Sequence, residues 1–268
     1  MLDSLPDLAL AEAADENFVL HATWCLPALP AAAVHRTTDL VVADSGLPCD
    51  TFNLICRARM APAAAATTVA WAIARFGDRP FSWWVGSADR PAELGDTLLA
   101  AGLVGAETEL VMAADLLHLP QIGEFREGFA VQRVTSAEAL SQFAVLSAKN
   151  WTPPDTQVIR FYSLAERALL DPGCPQRLYL GLLNGIPVAT AEVTLSSSLA
   201  GVYNISTLPR FRRQGIGTMM TLAPLLEARA AGCRRAVLQA APNGVSIYRR
   251  LGFSPFGSIT EYKPAPTA

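Results

Sequence analysis

The sequence predicts an α+β chain, layered as an α/β-type sandwich with a mixed sheet flanked by helices, on three observations. After a loop-like stretch at 118–128, segments with the two-residue period of strands alternate with segments of helical period. Asn184-Gly185, between two apolar runs, predicts a β-hairpin. Gly215 and Gly217 stand where a strand-like run gives way to a helical one. These signals predict helices packed around one sheet.

The predicted elements of the second half follow the order βααβββαβαβ. Ser136 is a candidate N-cap for the first helix, and Gly232 is a candidate residue just after the last turn of the third. In chain order the elements are strand 129–134, helices 136–147 and 159–170, strands 177–183, 187–195 and 201–207, helix 218–231, strand 235–239, helix 245–251 and closing strands 253–262.

Length and punctuation predict two domains. The 268 residues exceed the usual size of a single domain. The stretch 118–128 contains proline and glycine and follows an apolar segment, as a linker does. We therefore predict domains at 1–122 and 123–268.

Composition excludes several classes of function. The formal net charge of −3, with no basic stripe, argues against a nucleic-acid partner, because phosphate binding relies on clustered Lys and Arg. The five cysteines and three histidines lack metal-ligand spacing, so no metal site is expected. The acidic start is unlike a signal peptide, and the uncharged run 60–74 is too short to span a bilayer. A cytoplasmic protein without a membrane partner is expected.

The turn at 208–218 has the chemistry of an anion site. Glycine lets the backbone approach a ligand closely, and the first N–H groups of the following helix lack partners within the helix. The helix dipole adds partial positive charge, which favours a pyrophosphate. It is not a P-loop, because no Gly-Lys-Ser/Thr follows, and no acidic residue closes strand 235–239 as in a Rossmann site. An ordinary strand-to-helix turn is the alternative.

Two stretches resemble the motifs of the GNAT superfamily of acyl-CoA N-acyltransferases. The first is 202–218, Val-Tyr-Asn-Ile-Ser-Thr-Leu-Pro-Arg-Phe-Arg-Arg-Gln-Gly-Ile-Gly-Thr, which resembles motif A. Residues 237–240 and then 247–253, with the ending Tyr-Arg-Arg-Leu-Gly-Phe, resemble motif B. The motifs stand in the right order and spacing, and the resemblance covers about 128–263. It implies a GNAT-like sheet and transfer of an acetyl group from acetyl-CoA, as cosubstrate, to an amine.

The resemblance also implies which residues hold the acyl donor. The pantetheine arm would pair with the backbone of a strand end, and the pyrophosphate would lie on backbone N–H groups of the turn, with one arginine side chain nearby. Many relatives place Asn or Ser where this chain has Ala241; Asn243 could substitute, although capping of the next helix is its favoured role. The implied donor-binding residues are Ile205, Ser206, Thr207, Arg212, Arg213, Gln214, Gly215, Ile216, Gly217, Thr218 and Asn243.

Tyr248 and Glu192 are the candidate catalytic residues. The resemblance places Tyr248 where the general acid protonates the departing thiolate of CoA, and a core aromatic is the alternative. Glu192 is the carboxylate on the central strands and a candidate base; a solvent-facing strand residue is the alternative. Trp151 falls where relatives build the acceptor wall, or it covers the core. Cys233 is interpreted as a packing residue.

The first half carries a fainter version of the same order. A predicted strand at 50–60, a helix at 63–75 and a strand at 80–86 precede 98–104, which resembles 248–254. This predicts a tandem arrangement with a second, partial GNAT-like domain at the N-terminus. An unrelated α/β lid is the alternative.

The N-terminal copy is predicted to be degenerate. When Gly77 is aligned with Gly232, side chains stand where glycines and the candidate acid stand in the second copy. The aligned pairs are Arg57 with Arg212, Met60 with Gly215, Pro62 with Gly217 and, from the second resemblance, Leu98 with Tyr248.

Two functions remain open from the sequence. The first is an N-acetyltransferase acting on a small-molecule or protein amine by direct transfer. The second is a non-catalytic sensor that binds acyl-CoA. The presence of Tyr248 favours the enzyme.

Overall fold

The computed structural model describes residues 7–121, 126–197 and 199–265. Its contacts divide them into two compact units, one of residues 7–110 and 256–265 and one of residues 111–255. These units do not coincide with the predicted domains 1–122 and 123–268, because the end of the chain joins the first unit. The domain boundary itself stays a prediction, since part of the predicted linker, 122–125, lies outside the described residues.

The helices and strands of both units have the following bounds. In the first half they are α1 (Asp7–Thr23), β1 (Ala33–Arg36), β2 (Val41–Asp44), β3 (Leu54–Cys56), α2 (Ala65–Ile73), β4 (Ser82–Gly86), α3 (Leu94–Ala100) and β5 (Leu103–Asp115). In the second half they are β6 (Phe129–Arg133), α4 (Ala137–Ala148), α5 (Thr156–Leu169), β7 (Gln176–Leu183), β8 (Ile186–Ser196), β9 (Leu199–Thr207), α6 (Ile216–Ala230), β10 (Arg235–Ala240), α7 (Val245–Arg250) and β11 (Ser254–Pro264).

The first unit contains a sheet with the strand order β1-β2-β3-β4-β11-β5. Strands β3 and β4 are parallel, whereas β11 runs antiparallel to β4, with Tyr262 opposite Trp83. Buried side chains of α2, including Val69 and Ala72, pack with Trp83 and Leu98 into one apolar core. The predicted strand–helix–strand order of this half is therefore confirmed, although the strand predicted at 50–60 is only three residues long.

Helix α1 and strands β1 and β2 were not predicted. The buried positions of α1 include Asn17 as well as Leu10 and Ala14. A buried amide interrupts the apolar stripe from which a helix is predicted.

In the second unit the strands follow the order β10-β9-β8-β7-β6, with the last residues of β5 beside β10. Only β9 and β10 are parallel among these five strands; the other pairs are antiparallel. Helix α6 covers one face, since a Cβ on Gly181 of β7 would lie 2.7 Å from Met220 of α6. Glu192 points to the other face, where it contacts Tyr162 of α5. The sheet is thus covered by helices on both faces.

The elements predicted for the second half of the chain are confirmed with small shifts at their ends. Ser136 caps α4 by accepting a hydrogen bond from the N–H of Ala139 at 3.2 Å. Helix α5 begins three residues before its predicted start, because Asp155 accepts from the N–H of Gln157 and caps it there. The closing strands predicted at 253–262 are one strand, β11.

Candidate active site

Strands β9 and β10 separate part of the way along their length. Their parallel register runs from Leu199 opposite Arg235 to Val202 opposite Leu238. Beyond Val202, β9 continues to Thr207 without a register partner on β10. Because backbone groups at an unpaired strand edge can bond an extended ligand, the predicted residues Ile205 to Thr207 lie where such a ligand can add as a strand.

A β-bulge lies in the part of β9 that does not pair with β10. The register with β8 places Tyr203 opposite Glu192 and Ser206 opposite Thr190, so two residues of β9 face one residue of β8. Asn204 has a φ of 49°, a left-handed conformation that asparagine tolerates better than most residues. The hydroxyl of Thr190 donates to the carbonyl of Asn204 at 3.2 Å, which holds the bulge in place.

The turn after β9 forms a concave set of backbone N–H groups. Arg213 and Gly215 have φ values of 62° and 80°, and α6 starts at Ile216 directly afterwards. The first N–H groups of α6, at Ile216, Gly217 and Thr218, have no acceptor within the helix, and no side chain caps it at Gly215. Alternating right- and left-handed residues before a helix make an anion-binding concavity.

Space is left for a ligand at Gly217. A Cβ there would meet the protein only at Ile247, at 3.5 Å, which is ordinary contact. The chain itself therefore does not require glycine at this position, whereas close approach of a ligand to the backbone does.

The polar side chains of the turn hold its backbone. Arg212 donates from Nε to the carbonyl of Thr207 at 3.0 Å. Gln214 accepts a hydrogen bond from Arg126 and donates to the carbonyl of Arg210 at 3.3 Å. The predicted donor residues from Ile205 to Thr218 are thus brought together at one end of the sheet.

Tyr248 lies on α7, next to the end of β10. Its ring packs against the backbone of Gly244, where a Cβ would lie 2.9 Å from the ring. The ring is also edge-on to Phe253, with 6.0 Å between centroids. Ile247 contacts the start of α6 at Gly217. The tyrosine is half-buried, and the residue before it lies at the start of α6.

Asn243 does not have the capping role favoured from the sequence. The N-cap of α7 is Gly244, and no side chain caps the helix. Asn243 is exposed in the turn between β10 and α7. The helix starts one residue later than a cap at Asn243 would require, which leaves its amide available at the surface.

Glu192 is buried, so the solvent-facing alternative is wrong. It is 3% exposed and lies between α5 and β9. It accepts hydrogen bonds from the Tyr162 hydroxyl and from the side chain of Asn204. Burial raises the pKa of Glu192, while the hydrogen bonds from Tyr162 and Asn204 act in the opposite direction.

The segment between α4 and α5 lies against the end of β9. Ser206 donates from its hydroxyl to the side-chain oxygen of Asn150. Trp151 follows and is 39% exposed, so it does not cover the core. Cys233, by contrast, is buried, and burial raises its pKa, which fits the predicted packing role.

Sequence reasoning missed Tyr162 and Asn150. Tyr162 reads as one more core position of the amphipathic helix α5, together with Val158, Phe161 and Ala165. A polar tip on an otherwise apolar helix face was the available signal, because a buried tyrosine hydroxyl needs a partner.

The fold and the turn define a class of protein. A sheet whose parallel strands separate beside a glycine-containing turn and a helix N-terminus suits an extended ligand that carries phosphate groups. Residues 175–255 match the family model of the acetyltransferase (GNAT) domain. Residues 175–255 are therefore similar to a GNAT domain, and the predicted resemblance is confirmed. Members of this family use acyl-CoA, and the match supports acyl-CoA-dependent N-acyltransferase activity in general.

Solved structures confirm the fold class. A GCN5-related N-acetyltransferase from Kribbella flavida matches with a TM-score of 0.71 and 20% identity, over 97% of this chain and 96% of that one. A tandem GNAT protein from the clavulanic acid biosynthesis pathway matches with a TM-score of 0.59 and 16% identity, over 90% and 86%. A GCN5-related N-acetyltransferase from Sphaerobacter thermophilus has a TM-score of 0.57 and 17% identity, over 86% and 82%. The tandem relative supports the two-domain arrangement.

None of the curated proteins compared with the chain is significantly similar to it in sequence. Among the described residues, no helix combines the length and apolar character needed to cross a membrane.

Proposed function

We propose that this chain is an N-acetyltransferase that moves an acetyl group from acetyl-CoA directly to an amine. The observation that carries the proposal is the end of β9: its pairing with β10 stops at Val202, and it leads into a turn after which α6 begins without a side-chain cap. A pantetheine arm fits the first feature and a pyrophosphate fits the second.

In this proposal the backbone of Ile205, Ser206 and Thr207 bonds the pantetheine arm, and the turn up to Thr218 holds the pyrophosphate. Asn243, which is exposed between β10 and α7, is a further contact to the acyl donor in this proposal. Arg213 is exposed and adds positive charge near the phosphates.

The proposed reaction has a base and an acid. The amine nitrogen attacks the thioester carbonyl carbon, and the carbon–sulfur bond then breaks. Glu192 receives the proton that the amine gives up, and Tyr248 donates a proton to the departing thiolate. A raised pKa supports Glu192 as a base, because a base works best when its pKa approaches the working pH. The acceptor would enter beside Trp151.

The acceptor is a small-molecule or protein amine in this proposal, and the cytoplasmic location predicted from the sequence stays a prediction. A panel of amines with acetyl-CoA, followed by release of free thiol, tests the function. Steady thiol release with one amine class, dependent on the chain, is the expected result. Saturable acetyl-CoA binding without turnover on any amine would instead favour the acyl-CoA sensor.

A further inference from the structure

We infer that Tyr162 and Asn204 are positioning residues that hold the carboxylate of Glu192 from two sides, an inference that rests on the proposed function for its catalytic meaning. Tyr162 approaches from the helix layer and Asn204 from the acyl-donor strand. Tyr162 lies outside the motifs that predict acyl-CoA binding, and Asn204 lies in the stretch 202–218 but is not one of the predicted donor-binding residues.

The Tyr162 hydroxyl is fixed by its surroundings. The residue is 4% exposed, and its ring is edge-on to Phe143 of α4 and to Phe161, with centroids 5.2 and 5.5 Å away. A ring packed in this way presents its hydroxyl in one direction. The hydroxyl donates to Oε1 of Glu192, so α5 sets the position of the carboxylate from above the sheet.

The Asn204 amide is fixed by the bulge. Its left-handed backbone, with a φ of 49°, turns the side chain out of the usual alternation of the strand, and Thr190 holds its carbonyl at 3.2 Å. From there the amide reaches the carboxylate. The bulge also begins the segment proposed to bond the pantetheine arm. One residue thus links the position of the acyl donor to the position of the base.

The groups around Glu192 come from a helix and from the strands on both sides of β8. Tyr162 on α5 and Tyr203 on β9 are the titratable groups that face it, and Leu178 of β7 lies opposite on the other side. Burial raises the pKa of Glu192, and the hydrogen bonds from Tyr162 and Asn204 act to lower it. Donors to a carboxylate stabilise its ionised form, so removal of either must make Glu192 harder to ionise.

The test uses Tyr162→Phe and Asn204→Gly in the full chain. The first keeps the packed ring and deletes the donor; the second keeps the left-handed backbone and deletes the amide. Matched controls exist in the same unit. Tyr179→Phe removes a buried hydroxyl that donates to Glu227 at 2.6 Å, and Asn184→Gly removes the amide of another left-handed asparagine, with a φ of 50°.

The first measurement is the carboxyl ¹³C titration of the glutamate-labelled chain, with the Glu192 signal assigned by its loss in Glu192→Gln. We expect the Glu192 midpoint to move to higher pH in Tyr162→Phe and Asn204→Gly and to stay in place in both controls. A midpoint that does not move in Tyr162→Phe, or that moves equally in Tyr179→Phe, overturns the inference.

The second measurement is the pH dependence of thiol release with an accepted amine. The midpoint of the acidic side of the pH–rate profile should move to higher pH. At a pH on that side, turnover of Tyr162→Phe, divided by its own plateau value, should fall about tenfold. A moved Glu192 titration with an unmoved midpoint of the pH–rate profile would uphold the positioning role and refute Glu192 as the base. The two measurements therefore separate a failure of the inference from a failure of the proposed function.

Discussion

The two strand–turn–helix segments of the chain, β9 to α6 and β3 to α2, differ at the point where a ligand would enter. In the second unit β9 and β10 stop pairing at Val202. In the first unit the corresponding parallel strands are bridged again past their ends, with Arg59 paired to Arg90. The N–H of Arg90 donates to Ala58 at 3.0 Å, and the N–H of Met60 donates to Arg90 at 3.3 Å. Backbone hydrogen bonds therefore close the gap between the two parallel strands of the first unit; this closed gap is called the closed seam below.

Side chains complete the closure of the first unit. Met60, aligned with Gly215, is 2% exposed and belongs to the apolar core. Arg59 bonds Asp15 and Asp89, so charged groups of the chain neutralise one another there. Pro62, aligned with Gly217, opens a short 3-10 turn before α2 and lacks the N–H that a phosphate would need. The same order of elements therefore makes the proposed anion site in one copy and a turn closed by its own side chains in the other.

The largest expected effect is on turnover. Tyr248→Phe should slow acetyl transfer about 100-fold, because the lost hydroxyl acts mainly in the transition state. Acetyl-CoA affinity, measured by calorimetry on the same variant, should be nearly unchanged. Turnover within twofold of the unmodified chain would make Tyr248 a structural residue. Its replacement by Leu98 at the aligned position of the first copy would then have no catalytic meaning.

Gly217→Glu tests the anion site itself. The new carboxylate would stand where the pyrophosphate is proposed, and like-charge repulsion should weaken acetyl-CoA binding tenfold or more, about 1.4 kcal/mol, in a calorimetric titration. Pro62→Glu is the matched control, since Pro62 is exposed at the aligned position of the closed copy. Equal affinities in all three proteins would contradict the site assignment.

The closed seam also predicts how many donors bind. Titration of the intact chain with acetyl-CoA should give a stoichiometry near one, because within the described residues the turn at Gly215 and Gly217 combines uncapped helix N–H groups with a strand end that has no register partner on β10, whereas the aligned turn of the first unit does not. Calorimetry of the Gly217→Glu variant provides the control, since a second site in the first unit would persist there. Two equivalent sites would mean that the pairing of Arg59 with Arg90 opens in solution.

The smallest expected effect concerns the charged groups that fill the first unit. Burial and the neighbouring Asp15 raise the pKa of Asp89 to about 7. The folded chain therefore holds a proton that the unfolded chain has lost, and stability should fall as the pH rises from about 4 to about 7. Asp89→Asn should flatten that slope in denaturant unfolding across this range. Asp96→Asn, at an exposed position of α3, should leave it as it was.

Local sequence was sufficient to predict the turn and the helix of the proposed anion site and insufficient to predict the surroundings of Glu192. The turn, its helix and Tyr248 lie in two short stretches whose spacing carries the prediction. The surroundings of Glu192 come from α5, β8 and β9 together, so no local pattern shows that it is buried. The bulge at Asn204 follows from a register between strands, and the closed seam follows from a bridge between Arg59 and Arg90. Such pairings depend on tertiary contacts rather than on periodicity.

The place of β11 in the sheet of the first unit bears on how the chain is made. Ser82 donates to Glu261, 179 positions later, and β11 lies between β4 and β5 in the strand order. During synthesis the first unit must wait for this strand, whereas residues 111–255 form their unit from one continuous stretch. Contacts so distant along the chain form slowly, because loop closure must come first. The unit that contains the earlier residues therefore completes its sheet after the unit that follows it, because the place between β4 and β5 is filled only once β11 has been made.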